Sequence, residues 1–173
     1  MALGKLVQVQ TTTIVSPSPT VTLTGIDTDD VYMVTYSNVS FATSAELFMR
    51  VTSGTPATPV TSLTYNEARI GLFADAAAQK TGGNQNKVGM SGGLADTTTG
   101  SSTSGIIYLY NFNNSSEYNF GIYNTVYRDT SLRSRGFSGG FYQKTAQATN
   151  GVHFLNASSI NFTSGTFTLY KVL

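Results

Sequence analysis

The chain has 173 residues, a formal net charge of +1, 11% charged residues, one histidine, and neither cysteine nor tryptophan. Such a length suits one domain that buries roughly 70% of its unfolded surface. The missing cysteines exclude disulfides, thiolate metal sites and cysteine nucleophiles, the lone histidine excludes multi-histidine zinc centres, and near-neutral charge argues against direct contact with nucleic acid or an anionic membrane.

Thr, Ser and Asn number 26, 19 and 12, about a third of the chain. Their side chains compete for backbone hydrogen bonds inside helices, and Thr also suits a pleated surface, so the composition predicts β structure. Ten Tyr and ten Phe supply the large apolar side chains of a core or a subunit interface. Near the N-terminus, Val7 and Val9 alternate with Gln8 and Gln10, which predicts a half-buried strand starting almost at the first residue. The opening residues lack the apolar run of a secretory signal, and no apolar stretch has the length of a membrane-spanning helix, so a soluble product is expected.

After Ser16-Pro17-Ser18-Pro19, Val21 and Leu23 alternate with threonines to form a second strand that Gly25 ends. The acidic turn Asp27-Thr28-Asp29-Asp30 precedes Val31 to Tyr36, whose continuous apolar and β-branched character predicts a central strand. A further strand is expected over Glu46 to Val51. Between Asn66 and Gln79, Ile70, Phe73, Ala74 and Ala77 fall at helical spacing while Gly71 opposes helix, leaving a short helix and a strand with a loop both open. From Lys80 to Gly105 the chain carries seven glycines and no aromatic residue. This predicts a long Gly/Ser/Thr-rich loop, either a solvated connector or a partner-clasping loop, with a short strand allowed at Val88-Gly89-Met90.

Strands resume at Ile106 to Tyr110 and at Tyr118 to Tyr127, the latter with Phe120, Ile122 and Val126 on one side. Gly136 to Tyr142 forms an aromatic strand. Asn150-Gly151 marks a tight turn before Val152-His153-Phe154-Leu155, and Gly165 to Leu173 forms the last strand. Eight to ten short strands separated by turns predict a single all-β domain over 1–173, an antiparallel β-sandwich that is jelly-roll-like.

Three features resemble small bacteriophage virion structural β-sandwich proteins of the capsid decoration (cement) or head-spike type. These are the strand close to Met1, the strand and turn Ser104-Gly105-Ile106-Ile107-Tyr108-Leu109-Tyr110-Asn111, and the ending Val152-His153-Phe154-Leu155 followed by Ser164 to Tyr170. The chain departs from the pattern at Asn111-Phe112-Asn113, where an Asn-Pro turn is usual. The resemblance implies a non-enzymatic protein on the capsid exterior of a virion. Its implied partners are other copies of itself, as a trimer, and the major capsid protein, with the strand through Val15 and the Tyr/Phe-rich strands as interface material. A receptor- or glycan-binding module of a tail fibre or head spike is the alternative, with Tyr108, Tyr110 and Asn111 contacting host surface glycan.

No pattern calls for a cofactor, a metal or a catalytic centre. His153 lies in a strand with no nucleophile-elbow sequence elsewhere. Asp27 to Asp30 has the first spacing of a calcium loop, but Tyr32 and Asn38 stand where that loop needs glycine and glutamate. Glu46, Glu67 and Glu117 are isolated, unlike the paired carboxylates of a glycosidase. Arg128, Arg133 and Arg135 are candidate partner contacts, because guanidinium groups bind carboxylates bidentately. A solvated loop with a local Arg–Asp pair is the competing reading.

Overall fold

The computed structural model describes residues 4–62, 64–91, 101–156 and 158–173. Among them the regular structure is entirely β: β1 Leu6–Thr13, β2 Val21–Thr24, β3 Tyr32–Phe41, β4 Phe48–Ser53, β5 Thr58–Pro59, β6 Tyr65–Phe73, β7 Ala76–Gln85, β8 Val88–Gly89, β9 Thr103–Tyr110, β10 Phe120–Arg128, β11 Ser134–Gln143, β12 Gly151–Leu155 and β13 Phe162–Val172. Two antiparallel sheets face each other. The larger has the order β1-β13-β3-β9-β10-β11-β6-β7, and the smaller has β2-β12-β4-β5 with β8 also paired to β4. The all-β sandwich read from the sequence is the fold observed.

Period-2 patterning places most strands as expected. In β2, Val21 and Leu23 are buried while their threonine neighbours are half-buried. In β3, Tyr32, Met33 and Val34 are all buried. Tyr32 and Val34 face the core, while Met33 on the opposite side is flanked by Tyr108 of β9 and Tyr170 of β13. The alternation of β1 breaks at a bulge between Gln8 and Gln10. Val9 is left exposed, and the Gln10 side-chain oxygen accepts the Thr24 N–H at 2.6 Å.

One open choice is decided and one expectation is corrected. Of the two alternatives over 66–79 the strand is the one formed: β6 and β7 make a hairpin, with Gly71 paired to Phe137 of β11. The expected loop over 80–105 is in part sheet, because β7 runs to Gln85, Val88–Gly89 pairs with β4 as β8, and β9 begins at Thr103. The rest of that expectation, residues 92–100, lies outside the described residues. Glycine and threonine favour loops by composition, whereas pairing with β6 supplies the backbone hydrogen bonds that keep such residues extended.

The core is aromatic and spans both sheets. Phe154 of β12 lies 4.9 Å from Phe167 of β13 and 5.7 Å from Tyr36 of β3, centroid to centroid. On the inner face of the large sheet, bulky rings are registered opposite glycines on the adjoining strand: Tyr36 with Gly105, Phe141 with Gly121, Tyr123 with Gly139, and Phe137 with Gly71. At each of these glycines an added Cβ would collide with the partner side chain. The rings lie over their neighbours' bare backbone, which allows a dense core without Trp.

Buried tyrosines also need polar partners. Tyr65 accepts the Val51 N–H at 2.9 Å and donates to the Val60 carbonyl at 3.2 Å. Tyr36 hydrogen-bonds Thr125 of β10. Burial pushes the Tyr65 hydroxyl up to about 12, and burial likewise raises Tyr36.

Candidate interaction face

Because neighbouring strands are antiparallel and in register, side chains paired across them share one face of the sheet. On the outer face of the large sheet, the β10–β11 seam reads Phe120 opposite Tyr142, Ile122 opposite Gly140, Asn124 opposite Ser138 and Val126 opposite Gly136. On one flank β9 contributes Tyr110, Tyr108, Ile106 and Ser104. On the other, β6 contributes Asn66, Ala68, Ile70 and Leu72. None of these side chains carries a charge at neutral pH. The five-stranded sheet packs against the opposite face, and among the described residues no strand packs over this one.

The exposure is substantial. Ile122, Val126 and Leu72 retain 50%, 53% and 54% of their accessible surface, and Phe120 retains 43%. Tyr118, Phe120 and Tyr142 cluster at one end, with ring centroids 5.8 to 5.9 Å apart. Two troughs are cut into the surface where side chains are small. One of about 400 Å³ is lined by Phe120, Ile122, Gly140 and Tyr142, and the other, of about 280 Å³, by Leu72, Val126, Gly136 and Ser138. Exposed apolar side chains grouped in this way, around the polar pair Asn124–Ser138, make the face a candidate for contact with a partner.

Tyr108 and Tyr110, expected as partner contacts, stand on this face in β9. Phe120, Ile122 and Val126 do share one side of their strand, and that side points outward. The inward set is Gly121, Tyr123, Thr125 and Tyr127. Sequence reasoning missed Leu72 and the troughs. A signal was present in the alternate glycines of Gly136-Phe137-Ser138-Gly139-Gly140, which leave one side of β11 nearly bare.

Arg133 and Arg135 fall elsewhere, around the β10–β11 hairpin end, whereas Arg128 ends β10 on the same side as Val126, opposite Ser134. Arg135 contacts Asp129 at 2.7 Å and Asp75 at 2.6 Å, and Arg133 pairs with the same Asp75. The Arg135 guanidinium also lies 4.5 Å from the Phe73 ring centroid. Burial works to raise the Asp129 carboxyl, but the Arg133 and Ser131 amides and the Arg135 guanidinium outweigh it and hold the group below the ordinary carboxylate range. Arg133 and Arg135 are thus engaged within the chain, Arg135 with the nearby Asp129 and both with the distant Asp75.

Other polar groups are committed internally. Glu67, isolated in sequence, is buried in β6. It accepts the Tyr123 hydroxyl at 2.6 Å and the Gly89 N–H at 3.1 Å, and Arg69 lies 3.5 Å away. Arg69 in turn donates to the Gly89 carbonyl at 2.7 Å. This network ties the large sheet to β8 of the small one beside a cavity of about 160 Å³. The acidic turn is divided among three partners: Asp27 accepts from Tyr32, Asp29 from Asn114, and Asp30 pairs with Lys171 at 2.7 Å. His153 shares a 2.8 Å hydrogen bond with Thr22, and burial and the Arg50 charge lower its pKa. In comparison with known proteins, no family model, curated protein or solved structure matches the chain.

Proposed function

We propose that the chain is a non-enzymatic structural protein that works by assembly, burying the outer face of its large sheet against another protein surface. The observation that carries this reading is the uncharged, half-exposed surface formed by Phe120, Ile122, Val126 and Leu72 around bare glycine backbone. Transfer of such surface from water contributes about 25 cal/mol for each Å² removed, so many copies reinforce an assembly additively. The setting, a bacteriophage capsid exterior on which the chain acts as a decoration protein contacting the major capsid protein, rests on the sequence resemblance alone. Quantifying the protein in purified particles tests it. Hundreds of copies per particle are expected, whereas a handful rejects a shell-wide role.

A second reading, glycan binding, is favoured by the exposed cluster of Tyr118, Phe120 and Tyr142. Sugar C–H groups pack on the electron-rich faces of such rings. Saturable binding to host polysaccharide that Tyr142→Ala abolishes would support this reading over assembly.

A further inference from the structure

The inner and outer glycines of the large sheet differ in one respect. Gly71, Gly105, Gly121 and Gly139, on the inner face, are each covered by a bulky side chain of the adjoining strand. Gly136, on the outer face, is not: an added Cβ would meet only the Thr125 carbonyl oxygen at 3.6 Å and the Leu72 Cβ at 3.8 Å. Gly140 has only backbone at 3.3 Å and an Ile122 methyl at 3.7 Å. These two outer glycines lie in β11 beside the β10 ridge of Ile122 and Val126, so trough and ridge run side by side.

We propose that a second copy of this chain covers the trough, forming a two-fold dimer in which the outer faces of the large sheets pack together. A two-fold axis running along the strands above the β10–β11 seam sets β10 of each copy over β11 of the other. Each seam residue then meets the residue it already pairs with across the sheet. Ile122 enters the trough over the partner copy's Gly140, Val126 lies over Gly136, Asn124 meets Ser138, and Phe120 meets Tyr142. Large faces small, amide faces hydroxyl, and ring faces ring. A tilt of about 15° between strands and axis produces the ~30° crossing usual for aligned sheets.

Self-complementarity and area both favour a second copy as the occupant. An isologous interface sets residue i on j and j on i, and along the seam from Phe120 to Val126 every such pair is uncharged, with Arg128 opposite Ser134 only at its end. Four strands spaced about 4.8 Å apart and nine residues long at about 3.3 Å each cover about 570 Å². Packing two such faces removes on the order of 1,100 Å², above the ~1,000 Å² that a specific interface needs. The proposal rests on the assembly reading above, names its partner, and sets a two-fold in place of the trimer that the resemblance implies.

Sedimentation of the full-length chain at tens of micromolar tests it. A two-chain mass is expected, and Ile122→Lys and Gly136→Val should each weaken self-association at least ten-fold. Gly136→Val is expected to leave the single chain's thermal unfolding unchanged or raised, because valine suits a strand and meets no close atom there. If that variant nevertheless fails to fold by circular dichroism, Ile122→Lys decides, since Ile122 is half exposed in the single chain. A wild-type monomer, a trimer, or a dimer indifferent to both substitutions would overturn the proposal. Co-sedimentation with capsids separates the two ideas. A dimer that ignores capsids keeps this inference and rejects the virion setting, while a capsid-binding monomer does the reverse.

Discussion

The outer face of the large sheet has two halves built on the same backbone frame. Where β1, β13 and β3 meet, the registered rows are Thr11–Thr168–Thr35 and Thr13–Thr166–Ser37. Thr11 and Thr168 hydrogen-bond at 3.0 Å, and Thr13 and Thr166 at 3.2 Å. Across the sheet, β10, β11 and β6 carry Ile122, Val126 and Leu72 over glycine. Threonine fits the pleat as well as valine does but satisfies itself with hydroxyl ladders and water. The contrast teaches that strand propensity accounts for neither half: a solvated sheet face was available to this sequence, and only one half uses it. The apolar half is therefore the surface that the proposed dimer would cover, whereas the hydroxyl half pairs its own hydroxyls.

The comparison can be tested by disturbing the covered side, the hydroxyl half and the apolar half in turn. The largest effect is expected inside. Gly121→Val, beneath the Phe141 ring, should cost about 2–3 kcal/mol in denaturant unfolding, since overpacking forces off-rotamer side chains or backbone shifts. Gly136→Val on the outer face should change single-chain stability by less than about 0.5 kcal/mol. Comparable losses from the two would erase the distinction between covered and open glycines.

Alkaline unfolding probes the same inner side. Tyr65 is raised by burial from 10.0 to about 12 in the folded state, with backbone hydrogen bonding opposing the shift. Its contribution to stability is thus present in full below pH 10 and is lost as pH rises through about 12. For this group the loss is on the order of 2–3 kcal/mol. Tyrosinate absorbance should rise together with the loss of the far-ultraviolet β signal, and Tyr65→Phe should move the transition to higher pH.

On the hydroxyl half, Thr168→Val removes the partner of Thr11 and should cost about 1 kcal/mol, measured by chemical denaturation. The reciprocal change, Ile122→Thr, extends the hydroxyl pattern into the apolar half and should leave single-chain stability within about 0.5 kcal/mol while weakening self-association. The smallest effect belongs to His153. Burial and Arg50 depress its folded-state pKa below 6.5, so its neutral form supports the fold above pH 6.5 and that support is lost as pH falls. His153→Gln should flatten the acid limb of a stability–pH curve.

Much of the fold was legible because strands and turns are local. Val21-Thr22-Leu23-Thr24 and Gly165 to Leu173 alternate cleanly, and β2 and β13 form there. The tight turn expected at Asn150-Gly151 is not formed: Gly151 already pairs with Thr24 and Thr52 as the first residue of β12, and neither residue has positive φ. The hairpin of β6 and β7 was not legible. Ala76-Ala77-Ala78 suits helix locally, and it is pairing of β7 with β6, itself paired to β11, that holds this region extended. Arg133 and Arg135 were visible as a cluster, but their partner Asp75 is 58 and 60 residues away in sequence and meets them only through the sheet.

By itself the sequence determined that this protein is built of antiparallel strands with aromatic cores and hydroxyl-rich surfaces, since composition and period-2 patterning are properties of short segments. The tertiary structure decided which side of β10 is inside. Its two alternating sets, Phe120-Ile122-Val126 and Tyr123-Tyr127 with Gly121 and Thr125, are both fit for burial. Packing chose the second because Tyr123 can lie over Gly139 and reach Glu67, and Thr125 can meet Tyr36. The more apolar set was thereby turned outward, and a hydrophobic face was made from residues that the sequence alone would assign to a core.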